Sequence, residues 1–342
     1  FKKNSNMAKS EYIWAIGDIH GYNQSLQAVL NAISSYNNKK LIFVGDYIDR
    51  GPEPKDVINT ITNIKEEKVT LLGEHEFLLL NAIEGEASNP KAVLEWSKHG
   101  YENTLKAYEA HDVESLKAQI DKHHLEFINN LQLFHTETLG SGKKQLNLLF
   151  SHAGPFLDFP LEEQLKIQHY KDFRNYINSK NIAIEENCLN NDDRLLQKSL
   201  SVWDGYLLVH GHFRTQYRQN KNRLQYASKD KDYNYDMSDI PNPVYFPGGG
   251  AVAALCIDTG VDIGGKLTAV GFSEENIDFN SGKMLLKVVQ VDSSRRTKSF
   301  HPVTFELTLP FTDEISWLAK LKKSLFHSKK KKAKPSGHQH HH

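Results

Sequence analysis

Trp14-Ala15-Ile16-Gly17-Asp18-Ile19-His20-Gly21 sets the reading of the whole chain. An apolar, β-prone run from Tyr12 to Ile16 enters a glycine, a carboxylate, one spacer, an imidazole and a second glycine. The run reads as a buried strand, and the residues after Gly21 as a helix starting near Gln24. Asp18 and His20 then stand at the mouth of a strand-to-helix turn. An oxygen and a nitrogen donor facing one point suit a catalytic transition metal. An Asx turn beside a capping histidine would look the same, so the pair alone decides nothing; the later strand ends decide.

Those ends match. Leu26, Val29, Leu30 and Ile33 recur at helical spacing, which predicts a helix over 24–35. Leu41-Ile42-Phe43-Val44 reads as a central strand ending in Gly45-Asp46-Tyr47-Ile48-Asp49-Arg50-Gly51. Pro54 opens the next helix, with Val57, Ile58, Ile61 and Ile64 on its inner face. Val69 to Leu72 reads as a third strand, ending in Gly73-Glu74-His75-Glu76, with a helix over 77–83 behind it. Leu146 to Phe150 leads into Ser151-His152-Ala153-Gly154, and Tyr206 to Val209 into His210-Gly211-His212. Repeated strand–loop–helix units with polar residues at each strand's carboxyl end indicate an α/β architecture with its site along that edge. The expectation is two packed mixed sheets flanked by helices.

Five strand ends thus carry donors: Asp18 and His20, Asp46, Glu74, His152, and His212 with His210 beside it. Oxygen and nitrogen donors without a thiolate select manganese first, with iron or zinc as alternatives, over Cu(I) or an iron–sulfur cluster. Six ligands exceed the needs of one ion with an open position. Two divalent ions sharing Asp46 as a bridge use them all.

The 342 residues hold 42 basic and 42 acidic side chains, so the overall field favours no particular partner, nucleic acid included. Cys188 and Cys256 supply neither a disulfide framework nor a thiolate metal site, which points to a reducing compartment. No 18-residue apolar run suggests a membrane span, and Phe1 to Asn6 has no secretory signal character. The start at Phe1 reads as that of an excised fragment. Residues 90–135 are helical in pattern, with Trp96, Leu105, Tyr108, Leu116, Leu125, Phe127, Ile128 and Leu131 as core candidates. A polar helical stretch covers about 160–200, and 216–250 reads as a long surface loop. Further strands are expected at 254–257, 267–270, 284–291 and 303–309. Residues 1–310 are expected to form the catalytic unit. Residues 311–336 follow as a basic amphipathic helix and Lys-rich tail, suited to an anionic membrane or to packing. Residues 337–342 resemble a purification-tag remnant.

In order, Gly-Asp-Ile-His-Gly, Gly-Asp-Tyr-Ile-Asp-Arg-Gly, Gly-Glu-His-Glu, Ser-His-Ala-Gly and Gly-His resemble the signature blocks of the PPP-type metallophosphoesterases. These include the serine/threonine protein phosphatases. The likeness runs from about residue 12 to residue 272. Trp96 to Tyr108, Pro160 to Gln164, Ile257-Asp258-Thr259-Gly260 and Gly264 to Thr268 look like secondary blocks of the bacterial branch. The resemblance implies that Asp18 and His20 hold the first ion, Asp46 bridges, and Glu74, His152 and His212 complete the second. It further implies that Asp49 orients His75, the general acid, and that Arg50 holds the phosphate. A second phosphate-binding cation is expected from 169–176, with Arg174 the candidate and Lys171 the runner-up. His210 has no counterpart and reads as structural. The implied reaction is in-line attack by a metal-bridging hydroxide on phosphoserine or phosphothreonine, with phosphotyrosine also open.

Two features depart from the pattern. Glu74 stands where the family has Asn, replacing a neutral amide ligand with a carboxylate that can bind through both oxygens and lower the metal's electrophilicity. That leaves open a natural variant of altered metal preference, a deliberately crippled form, or a protein that binds phosphorylated ligands without turnover. The 45 positions from His212 to Ile257 are also longer than usual. Their Tyr217, Tyr226, Tyr233, Tyr235 and Tyr245, with Arg214, Arg218 and Arg223, could grip a phosphopeptide or form a plain surface loop. The rival enzymatic reading is a diadenosine-tetraphosphate-type hydrolase, against which the Asp49-Arg50 pair argues. Location is read as cytoplasmic, the alternative being export into a host cell with peripheral membrane association.

Overall fold

A computed structural model describes residues 11–85, 87–191, 205–215, 218–219, 225–226, 244–248, 251–295 and 298–311. β1 (Tyr12–Ile16), α1 (Asn23–Ala32), β2 (Lys39–Phe43), α2 (Pro54–Thr62), β3 (Glu67–Thr70) and α3 (Glu74–Ile83) follow the expected alternation. Four short helices, α4 (Pro90–Ser97), α5 (Glu102–Ala107), α6 (Val113–Gln119) and α7 (Lys122–Asn129), lead to the hairpin of β4 (Phe134–Ser141) and β5 (Lys144–Ser151). Then come α8 (Leu161–Gln164), α9 (Tyr170–Ser179), β6 (Tyr206–His210), β7 (Arg218–Gln219), β8 (Gln225–Tyr226), β9 (Val244–Gly248) and β10 (Ala251–Cys256). The described chain closes with β11 (Lys266–Phe272), β12 (Ile277–Asp278), β13 (Lys283–Asp292) and β14 (Val303–Pro310).

Two mixed sheets result. One has the order β12-β13-β11-β1-β2-β3, with β14 also on β13; the other runs β4-β5-β6-β10-β9. In the first, β1, β2 and β3 are parallel neighbours; in the second, β5, β6 and β10 are. Strand alternation splits the core between two environments. Ile13, Ala15, Ile42 and Val44 pack with Leu148, Phe150, Leu207, Val209 and Leu255 between the sheets. Trp14, Ile16, Leu41 and Phe43 join the cluster that includes Leu26, Val29, Val57, Ile58 and Ile61 of α1 and α2. Burial on both faces explains the unbroken apolar runs of β1 and β2.

The structure corrects three expectations. Glu74, His75 and Glu76 form the first turn of α3 instead of a loop before it, because Gly73 is an extended N-cap. Residues 244–248 of the expected loop form β9, antiparallel to β10 at the sheet edge, where Pro247 is tolerated because one side needs no ladder donor. Leu125 and Phe127 are only partly buried against the core. The basic helix and tail expected over 312–334 lie outside the described residues, as do the side chains of Tyr217, Tyr226, Tyr233, Tyr235, Tyr245, Arg218 and Arg223. Cys188 and Cys256 are both buried, and the Cys256 thiol donates to the Phe213 carbonyl at 3.0 Å. Among the described residues no helix is long and apolar enough to cross a membrane.

Phe150, fully buried between the sheets, tests this packing. Phe150→Ala is expected to cost about 3–5 kcal/mol in urea unfolding of the full chain. Leu94→Ala, at 59% exposed, should change stability by no more than about 0.5 kcal/mol. Equal losses at the two positions would contradict the inter-sheet core.

Candidate metal centre

Six parallel strands point their carboxyl ends at one region. Asp18 follows β1, Asp46 follows β2, Glu74 follows β3, His152 follows β5, His212 follows β6 and Asp258 follows β10. His20, Asp46, Asp49, Arg50 and His212 all have positive φ, five of the eight described non-glycine residues that do. Left-handed backbone costs of order 1 kcal/mol or more per residue and persists only where surrounding contacts enforce it.

Glu76 supplies much of that enforcement. From the third position of α3 its buried carboxylate accepts from the backbone N–H of Gly73 (3.2 Å), Asp46 (2.7 Å) and Tyr47 (3.0 Å). The His75 N–H in turn donates to Asp46 Oδ1 at 3.0 Å. The helix N-terminus and the loop after β2 therefore hold each other. The contact leaves no space at Gly73, where a Cβ would lie 2.2 Å from the Asp46 nitrogen.

The imidazoles are oriented by carbonyls. His20 Nδ1 donates to the Ile48 carbonyl (2.9 Å) and His152 Nδ1 to the Val44 carbonyl (2.8 Å). Since a carbonyl only accepts, both rings keep Nε2 for the cluster. Asp46 Oδ2 lies 3.5 Å from His20 Nε2 and 3.2 Å from His152 Nε2, between the two rings. Asp18 Oδ2 is 4.0 Å from His20 Nε2, and Glu74 Oε2 is 3.6 Å from His212 Nδ1. Donor atoms of His20, Asp46 and His75 lie within 4.8 Å of one another, and so do those of Asp46, His152 and His212. Asp46 belongs to both groups.

This cluster suits divalent ions. His152 Nε2 is buried with no hydrogen-bond partner, and Asp18, Asp46, Glu74 and Asp258 are four buried carboxylates on one region. Burial, then Asp258 and Asp46, push the Asp18 carboxyl well up, a cost that nearby cations would offset. Burial, then His75, lowers His20 to about 4, and burial also lowers His212 to about 4, so both rings are neutral ligands at pH 7. Two ions would be held by Asp18, His20, Asp46, Glu74, His152 and His212, with Asp46 shared.

Beside the cluster, His75 Nδ1 lies 2.7 Å from Asp49 Oδ2. Burial disfavours the charged ring, but Asp46 and Asp49 outweigh it and hold His75 up at about 9. Asp49 is itself fixed: Trp96 Nε1 donates to Oδ2 (2.6 Å), and Thr104 Oγ1 donates to Oδ1 (2.6 Å) while accepting from the Asp49 N–H (3.0 Å). Arg50 Nη1 lies 3.3 Å from the buried carboxylate of Asp262, which also takes the fork of Arg214. Arg174 is held at Asn81 and by Glu84 (2.9 Å), about two helical turns along α3 from Glu74. His210 is buried on β6, its Nδ1 2.9 Å from the Gly211 carbonyl.

Several participants escaped the sequence reading. Trp96 is expected as core and as the start of a secondary block, and its indole N–H also serves Asp49. Glu76, Asp258, Asp262, Thr104 and His99 were given no role. Glu76 alone had a local signal, an acid three residues after a capping glycine. His99 Nδ1 donates to the Glu95 carbonyl (2.8 Å) and its Nε2 lies 3.1 Å from Glu74 Oε1. Each nitrogen faces an acceptor, and the hydrogen bond to Glu74 raises the ring's pKa. Burial opposes the Glu74 charge, but His99 and then His212 hold that carboxyl down at about 2.

Two outcomes check this geometry. In metal-free protein the His75 ring should titrate by NMR near pH 9, protonated below and neutral above. Asp49→Asn should move that midpoint down by about 1 unit or more, and an unmoved midpoint would refute the pairing. Manganese added to chelator-treated protein should raise the melting temperature, by the equivalent of about 2.7 kcal/mol at a hundred times its dissociation constant. Asp46→Asn should remove most of that gain.

The chain is similar to several known proteins. Residues 12–263 match the calcineurin-like phosphoesterase family. The chain is 33% identical over 123 residues to serine/threonine-protein phosphatase 2 of Escherichia coli, covering 34% of this chain and 51% of that protein. It is 29% identical over 150 residues to an asymmetrical bis(5'-nucleosyl)-tetraphosphatase of Oceanobacillus iheyensis, covering 41% and 54%. The chain thus spans about half the length of these two relatives. A cold-active protein-tyrosine phosphatase of a Shewanella species superposes with a TM-score of 0.45 at 11% identity, covering 87% of this chain and 80% of that one. The family match, with donors at the ends of six strands, has one meaning: the chain belongs to the calcineurin-like phosphoesterase family.

Proposed function

We propose that this metallophosphoesterase is a phosphoprotein phosphatase acting on phosphoserine and phosphothreonine, with phosphotyrosine within reach. The observation that carries the reading is the cleft running from Glu74 and His99 along α3 to Arg174, about 190 Å³ in volume. Its two Lys/Arg residues each face a lining carboxylate, Lys91 with Glu185 and Arg174 with Glu84, both at 2.9 Å. Glu74 and Glu95 add to an acidic wall, and Asn81, Asn89, Asn187 and Asn190 supply amides. A chain of further phosphates would meet net repulsion there, whereas a peptide meets donors and acceptors for its backbone.

Divalent ions bound at the cluster supply an activated water and offset phosphoryl charge. The chain's own residues do the rest. Arg50, held by Asp262, offers a guanidinium to the phosphate. As the P–O bond to the leaving oxygen breaks, His75 passes its proton to that oxygen, and Asp49 stabilises the charged ring beforehand. The donor set favours manganese, with iron or zinc as substitutes.

The competing reading is hydrolysis of a dinucleoside tetraphosphate, a name that some relatives carry. Steady-state rates of the manganese-loaded full chain on a phosphoserine peptide and on diadenosine tetraphosphate separate the two. The expected result is a kcat/KM at least about tenfold higher for the peptide, a difference of about 1.4 kcal/mol. The reverse order would overturn the proposal. Binding of both without turnover would instead mean a phospho-binding protein.

A further inference from the structure

Glu74 is held from the cleft side by an imidazole that stands outside the cluster. Its side chain is 9% exposed, with Oε1 3.1 Å from His99 Nε2 and Oε2 3.6 Å from His212 Nδ1. The two oxygens therefore face opposite ways, one toward the cluster and one toward the cleft. His99 is itself fixed. Its Nδ1 is anchored on the Glu95 carbonyl at the end of α4, and its ring lies edge-on to His75 with centroids 5.7 Å apart. A free carboxylate can rotate about its last bond and offer both oxygens to one cation. Here that rotation would break the hydrogen bond to His99.

We propose that His99 is a positioning residue that captures Glu74 Oε1 and leaves Oε2 alone to engage a cation at the Asp46–His152–His212 group. This rests on the reading of the cluster as a metal centre and not on the identity of the substrate. It gives the carboxylate at position 74 the single-oxygen reach of an amide. Outer residues that orient ligands typically change metal affinity 10–100-fold when removed. His99 is partly exposed at the cleft lip, so its loss should leave the fold intact.

The test is calorimetric titration of chelator-treated full-length protein with manganese, with circular dichroism to verify folding. His99→Ala should weaken at least one site by about tenfold. His99→Gln, whose amide N–H can reach the same oxygen, should stay near wild type. In a Glu74→Asn background, His99→Ala should add nothing, because the captured oxygen is gone. Equal losses in both backgrounds, or none in the native one, would overturn the proposal. A wild-type chain that takes up no manganese would sink the metal-centre reading itself, and the proposal with it.

Discussion

The Glu76 carboxylate is the contact on which the rest of the centre depends. It is buried, it lies on α3, and it binds the backbone of the loop after β2 at Asp46 and Tyr47. That loop carries Asp46, Asp49 and Arg50 in left-handed conformations, and its carbonyls at Val44 and Ile48 orient His152 and His20. One side chain thus sets the position of residues from four strand ends. Burial, and then Asp46, push the Glu76 carboxyl up to about 8, and the backbone N–H bonds it accepts are strong because that buried setting shields them from water.

The electrostatic logic is one of matched burial. Carboxylates and imidazoles are expensive inside a protein unless each has a partner. The Asp49 carboxylate accepts from Trp96 and Thr104 beside His75, and Asp262 faces two guanidinium groups. His152 Nε2 is buried without a hydrogen-bond partner, and Asp18 lies among further buried carboxylates, an arrangement that suits cations. Where the chain completes a pair it builds a positioning device, and where it leaves a lone pair facing inward it builds a ligand.

The same logic assigns Glu74 and the cleft. The Glu74 carboxylate meets the cleft through Oε1, 3.1 Å from His99 Nε2. Beyond His99 the cleft wall is acidic, with Lys91 paired to Glu185 and Arg174 to Glu84.

The sequence by itself determined the class of fold and placed the candidate donors at its strand ends. Asp18, His20, Asp46, Glu74, His152 and His212 each sit within a few residues of an apolar strand, so donor and element are read together. β9 and the true start of α3 were less legible, because Pro247 and Gly73 read locally as loop while pairing and capping are settled by neighbours. Tertiary structure alone decided which charge meets which: Asp49 finds Trp96, 47 positions away, and the His212 N–H reaches Asp18 across 194. Residue type and spacing are local properties of the chain. The free energy of a buried charge depends on distances through space, and only the folded chain sets those.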